Sequence, residues 1–332
     1  MFGLKRKRTQ VQRELHYGRT ADGWRIALHR LPHRHTAPTR EPVLLCHGLG
    51  ANRFNLDAPG RRSFAQWLWA RGHDCWVVEL RGAGESSRPD RRNGLGWNWT
   101  FEDYVTHDLP TAIDVIQRVT GRQRVHWVGH SMGGMLGYAY LIRHGHEQVA
   151  SLSAIGSPSF TRVKNPLLDG MLALRPLASM IPKLPYQSTS GAVVPLVPAF
   201  KATFGRLLGN PRNLSSVDLA RIVRVLPSDL PMSLVLQFAD WYSGDRECPY
   251  VKALHKIEAP TQLLVGQIDY LAPPADIEFI FDAISAQKKS IHVLGKASGC
   301  RFDYGHIDPV LGRWAETEVW PRLASWIDEN EA

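Results

Sequence analysis

Gly129-His130-Ser131-Met132-Gly133 sets a serine between two glycines at the end of a run that reads as a β-strand. Arg124-Val125-His126-Trp127-Val128 reads as a short buried strand, and Met135-Leu136-Gly137-Tyr138-Ala139-Tyr140-Leu141 as a helix packed closely on it. A serine on so tight a strand-to-helix turn takes a strained backbone conformation, with room on either side only for residues that lack a side chain. The turn holds the hydroxyl out over the sheet edge, within reach of a base. The helix start behind it offers free backbone N–H groups to a developing negative charge. G-x-S-x-G also arises in serine-rich loops, so the motif needs support from the rest of the chain.

Three other segments supply that support. Val43-Leu44-Leu45-Cys46-His47-Gly48-Leu49-Gly50 reads as an apolar strand ending in a glycine-bearing loop. Such a loop can bring the N–H of Leu49 next to that of Met132, forming a two-donor oxyanion hole. Gln262-Leu263-Leu264-Val265-Gly266 reads as a strand, with Gln267-Ile268-Asp269 as the turn that leaves it. Ser290-Ile291-His292-Val293-Leu294 reads as another strand, followed by a loop containing His306. The order Ser131, Asp269, His306 is expected when nucleophile, acid and base project from successive strand ends of a doubly wound sheet.

On these residues the chain resembles an α/β-hydrolase over nearly all of its length outside about 156–255. Further stretches are similar to the acid-lipase and gastric-lipase branch and its bacterial relatives. They are Ser63-Phe64-Ala65 through Gly72-His73-Asp74-Cys75-Trp76-Val77-Val78, Arg81-Gly82, Tyr104-Val105-Thr106-His107-Asp108-Leu109-Pro110 and Tyr304-Gly305-His306-Ile307-Asp308. Polyhydroxyalkanoate synthases resemble the chain in the His-x-Asp ending but carry cysteine where this chain has Ser131. Epoxide hydrolases and haloalkane dehalogenases use an aspartate there.

The expected chemistry follows from the residue types. Ser131 needs a base to take its proton as it attacks a carbonyl, and His306 is the candidate, because histidine is the residue type whose unperturbed pKa lies near neutrality. Asp269 would hold the imidazole in the correct tautomer and stabilise the imidazolium. Residues 156–162 contain no carboxylate, so Asp269 has no rival after the strand Ala150–Ile155. Asp308, with Pro309 behind it, fits better as the N-cap of the last helix. His47 is expected to shape the oxyanion loop and His130 to point away from Ser131. His29, His33 and His35 lack a carboxylate or cysteine at ligand spacing, so no metal is expected. Asp103 and Asp108 read as favourable charges in the first turns of a helix beginning near Thr100.

With 332 residues, 44% of them hydrophobic, the chain can bury one elaborated α/β domain. Strand–helix alternation implies a mostly parallel sheet. Residues 1–155 and 256–332 are expected to form the α/β-hydrolase core. Residues 156–255 are too many for an ordinary connection and read as an inserted helical cap over the serine. Its apolar stretches, 167–174 and 219–226, are divided by prolines 176, 182, 185, 195, 198, 211, 227 and 231. Phe200, Phe204, Phe238 and Trp241 suggest a greasy acyl or ring-bearing substrate, although most of them should simply pack the cap on the core.

No apolar stretch approaches about eighteen residues, so no transmembrane helix is expected. The basic start, Met1 to Gln10, has no apolar run behind it and does not read as a secretory signal. Cys46, Cys75, Cys248 and Cys300 show no paired spacing, which makes a reduced, cytoplasmic protein the default. Of the net charge of +9, residues 1–40 supply +8, from ten Lys or Arg and two Asp or Glu. A solvated tail is the leading reading of that asymmetry, and peripheral contact with an anionic membrane surface the second. No motif or aromatic interleaving supports nucleic acid as a partner.

The function expected is a serine hydrolase for carboxylic esters with a hydrophobic acyl or alcohol part, acting through an acyl-enzyme without a cofactor. An acyltransferase or lactonase would use the same triad, because the acceptor depends on the access of water beneath the cap. A non-catalytic ligand-binding module on the same fold is a further alternative.

Overall fold

A computed structural model describes residues 12–33, 40–60, 63–90, 92–159, 169, 180–197 and 208–331. β1 (Glu14–Arg19) and β2 (Arg25–Leu31) form the antiparallel hairpin that the Ala21-Asp22-Gly23 turn predicts. Six strands follow: β3 (Val43–Cys46), β4 (Cys75–Glu79), β5 (Val125–His130), β6 (Val149–Ile155), β7 (Thr261–Gly266) and β8 (Lys289–Leu294). All eight lie in one sheet of order β1-β2-β4-β3-β5-β6-β7-β8, parallel except where β2 meets β1 and β4.

The central strands are buried on both faces, as crossover helices require. Alternation sends Leu44, Cys46, Trp76, Val78 and Trp127 into one core layer. Val43, Leu45, Cys75, Val77 and Val128 enter the opposite layer. Helices α1 (Phe64–Trp69), α2 (Leu109–Thr120) and α3 (Met132–His144) belong to the first half of the chain. Between β6 and β7 come α4 (Tyr186–Val193), α5 (Ser216–Val225) and α6 (Met232–Ser243). α7 (Pro274–Ala283) and α8 (Trp320–Asp328) complete the chain. Among the described residues no helix is long and apolar enough to cross a membrane.

The strand order places the site. From β3 the chain moves outward to β4, then returns to lay β5 on the other side of β3, which opens a crevice at their carboxyl ends. Cys46 pairs with Gly129, and His130 with Ile155. The residues just beyond those pairs (Gly48, Ser131 and Gly156) therefore emerge side by side.

Residues 1–11 and 34–39, which hold five of the ten basic residues in the first forty, lie outside the described residues. So do Phe200, Phe204 and, apart from Asp169, the apolar stretch 167–174.

Candidate active site

Ser131 sits between β5 and α3 with φ 54° and ψ −122°, and among the described residues no other non-glycine residue has positive φ. Such a conformation costs about 1–3 kcal/mol and persists only where the surroundings impose it. Here the Ser131 N–H donates to Ile155 O at 2.8 Å, while Gly134 N and Met135 N donate back to Ser131 O. The flanking glycines are sites of close approach. A Cβ on Gly129 would lie 2.3 Å from Gly133 C, and one on Gly133 would lie 2.1 Å from Cys46 O.

The loop after β3 is held by the ring of His47. Its Nδ1 lies 2.9 Å from Gly48 O and its Nε2 accepts the Leu80 N–H at 3.2 Å. That pairing suits one neutral tautomer, and burial pushes the imidazole pKa down accordingly. Gly48 then faces the elbow so closely that a Cβ there would lie 3.2 Å from Ser131 Cβ. Leu49 follows at the rim of the turn, and Met132 is the first residue of α3, whose N–H has no intrahelical acceptor. Neither N–H donates to a protein acceptor among the described residues.

His306 reaches the serine from the far side. Its Nε2 is 2.9 Å from Ser131 Oγ, and its Nδ1 is 2.9 Å from Asp269 Oδ2 and 3.1 Å from Oδ1. Asp269 lies on the turn leaving β7, where Oδ1 also accepts the N–H groups of Leu271 and Ala272 at 2.9 Å each. Those two bonds fix the plane of the carboxylate. Both Asp269 and His306 are buried. The geometry suits a serine that donates to a neutral Nε2, while Nδ1–H donates to a carboxylate.

Residues 41–294 match the model of the alpha/beta hydrolase fold family, and residues 7–55 match a partial alpha/beta-hydrolase lipase region. The chain belongs to the α/β hydrolase fold family. This α/β hydrolase is similar to triacylglycerol lipase 2 of Arabidopsis thaliana, 24% identical over 93% of this chain and 82% of that protein. A shorter alignment, 133 residues, is 32% identical to gastric triacylglycerol lipase of Bos taurus and covers 38% of this chain and 34% of the relative. Among solved structures, an esterase from Exiguobacterium antarcticum superposes with a TM-score of 0.63 over 94% of this chain and 98% of its own. At 17% identity that likeness is one of fold.

Several residues of the α/β hydrolase matter here although no local pattern singles them out. Gly156 follows β6 with φ 55°, and a Cβ there would lie 3.0 Å from Asp269 Oδ2 and 3.3 Å from His306 Nδ1. The His130 ring contacts the site's other loops. Its Nδ1 is 3.0 Å from Asn55 Oδ1, and its Nε2 is 3.0 Å from the backbone oxygen of His306. Burial above all pushes His130 down to about 3. Asn55 Oδ1 also accepts the Gly48 N–H at 3.0 Å, so the carboxamide joins the oxyanion loop to His130.

Two aspartates differ from their expected roles. Asp308 is the first residue of a short helix, Asp308–Leu311, whose N-cap is Ile307, so it does not cap the last helix. It is fully buried, and its carboxylate accepts from Gly305 N at 2.8 Å and Asn213 Nδ2 at 2.6 Å. Asp108 closes a π-helical turn, Tyr104–Asp108, directly before α2, and is fully buried against Arg81, a partner that the helix-start reading does not foresee. It accepts Arg81 N at 2.8 Å and Arg81 Nε at 2.7 Å, yet burial still pushes its carboxyl up to about 6. Asp103, by contrast, accepts the Thr100 N–H at 2.7 Å, which suits a first-turn acidic residue. Phe238 and Trp241 pack edge-on against Phe101, with centroids 5.9 and 5.5 Å away, and so bind α6 to the core.

Proposed function

We propose that this α/β hydrolase cleaves carboxylic esters with a hydrophobic acyl or alcohol part through an acyl-enzyme on Ser131. The observation that carries the reading is His306 bridging Ser131 Oγ and the Asp269 carboxylate, each at 2.9 Å, on a strained turn. Those contacts support the following sequence. His306 Nε2 takes the Ser131 proton as Oγ attacks the ester carbonyl, and Asp269 stabilises the imidazolium. The N–H groups of Leu49 and Met132 bind the oxygen that gains negative charge. His306 returns the proton to the leaving alcohol, then activates water to release the acid.

The described residues of the segment 156–255 act as a cap on this site. Ser228 N–H donates to Gly50 O at 2.8 Å, and Asn52 Nδ2 donates to Val225 O at 2.9 Å. The Tyr186 ring lies 3.1 Å from where a Cβ on Gly50 would be. The relatives named triacylglycerol lipases favour a lipid ester as substrate.

The test is the intact mass of wild type and Ser131→Ala after treatment with a fluorophosphonate. A single adduct on wild type and none on the variant is expected. A folded wild type that takes no adduct, or a variant that still takes one, overturns the assignment.

A further inference from the structure

We infer that Asp308 and Asn213 form a positioning clamp by which the segment preceding α5 holds the loop of His306 in register with Ser131. The inference rests on reading His306 as the base and adds residues that do not touch the reacting atoms.

The contacts run on both sides of His306. Ile307 N–H donates to Leu208 O at 2.7 Å, and Asn210 Nδ2 donates to Asp303 O at 2.6 Å. Asn213 Nδ2 reaches Asp308 Oδ2 at 2.6 Å and Asp303 O at 3.3 Å, while Asn213 O accepts the Arg313 N–H at 2.9 Å. The two backbones touch at glycines. A Cβ on Gly305 would lie 2.6 Å from Gly209 Cα, and one on Gly209 would lie 2.5 Å from Asp308 Oδ1. The loop that carries the base is thus bound between residues 208 and 214 immediately before and after the imidazole.

A buried carboxylate is a poor device for stability alone. Burial pushes Asp308 up to about 7 despite the hydrogen bonds from Asn213 and Gly305, so a well-packed apolar side chain would cost less there. The carboxylate supplies direction instead. One oxygen accepts from Gly305, next to His306, and the other from Asn213, so a single planar group sets the distance between the two segments. Asn213 Oδ1 has no partner among the described residues, so the contact with Asp308 uses one donor and one acceptor that can be exchanged, at the loss of the longer bond to Asp303 O.

That exchange is the test. Asp308→Ala removes the acceptor, and Asn213→Asp sets two carboxylates face to face. Asn213→Asp with Asp308→Asn restores one donor and one acceptor with the polarity reversed. Expected are a fall in kcat of about tenfold to a hundredfold in each single variant, with KM within about threefold, because misplacing a catalytic group acts on the reaction step. The double variant recovers to within about threefold of wild type. A folded Asp308→Ala with wild-type kcat overturns the clamp. So does a double variant no better than Asn213→Asp, which also decides the case if Asp308→Ala does not fold. The low-field proton resonance of His306 Nδ1–H, read without substrate, should weaken in the single variants and return in the double. If wild type takes no fluorophosphonate, the ester-hydrolase reading fails, while this resonance still reports whether the clamp positions His306.

Discussion

Gly156→Ala isolates the space that the Asp269–His306 pair requires. Two effects act on this variant, and they can be separated. The first is backbone strain: at φ 55° an L side chain costs about 1–2 kcal/mol. The second is local. The new methyl carbon would lie 3.0 Å from Asp269 Oδ2 and 3.3 Å from His306 Nδ1, tighter than ordinary contact. Relief requires the carboxylate or the end of β6 to give by roughly half an ångström. Since misplacement by 1 Å can cost about 10²-fold, half of it costs about tenfold in kcat, or about 1.4 kcal/mol. Gly121→Ala is the control. Gly121 ends α2 at φ 71° and ψ 4°, and a Cβ there meets nothing within 4 Å. Urea unfolding should show a loss of stability in both variants, the larger in Gly156→Ala, where the close contact adds to the strain. Hydrolysis of a p-nitrophenyl ester should show reduced kcat for Gly156→Ala alone, at similar KM. A Gly156→Ala enzyme with the kcat of Gly121→Ala would refute the reasoning, since the pair would then tolerate displacement or take no part in turnover.

Two further predictions concern charge. Asp269→Asn should fold normally and bind substrate with similar KM but lose about 10⁴-fold in kcat, because the carboxamide no longer enforces the Nδ1–H tautomer. Unchanged turnover, measured on the same ester, would move the acid's role to another carboxylate, with Asp308 the first to examine. Arg81→Met leaves Asp108 buried without its cation and should destabilise by about 3–5 kcal/mol at pH 8. The Asp108 carboxyl already sits at about 6 in the folded chain and rises further without Arg81, so at pH 5 it binds a proton and the loss shrinks. Urea unfolding at the two pH values checks this, and a loss independent of pH would mean that Asp108 is not the charge left stranded.

What could be read from the sequence was whatever leaves a local trace. Gly129, Ser131 and Gly133 announce the turn because a strand, a sharp corner and a helix each demand particular residues within five positions. Alternation and turn chemistry likewise gave the β1–β2 hairpin and the buried strands β3, β5, β6 and β7. Gly156, Asn55 and Asn213 leave no such trace. Gly156 is required by atoms of Asp269 and His306, more than a hundred positions away, and one glycine after a strand is otherwise unremarked. Asp308 and Asp108 misled for the same reason. An aspartate before a proline, or early in a helix, has an ordinary local use. The partners that override it, Asn213 and Arg81, come from distant segments.

The two ways of placing a residue divide the labour at this site. Gly48, Ser131, Gly156 and Asp269 stand just past the carboxyl ends of β3, β5, β6 and β7, so paired strands set their spacing directly. His306 is placed less directly, because it lies twelve positions beyond the end of β8 at Leu294, on a loop. A loop of that length carries conformational freedom that would scatter the imidazole over more than the few tenths of an ångström proton transfer tolerates. Part of its order comes from the strand ends, since Tyr304 N–H donates to Leu294 O at 3.1 Å and Tyr304 O accepts the Ile268 N–H at 2.9 Å, and part from outside the sheet. The carbonyl of His306 meets the His130 ring, its neighbour Ile307 donates to Leu208, and Gly305 donates to Asp308. Leu208 belongs to the segment between β6 and β7, which also touches Gly50 through Ser228. On the proposed reading, in which that segment caps Ser131 and His306 is the base, altering it should therefore change turnover as well as the fit of the substrate.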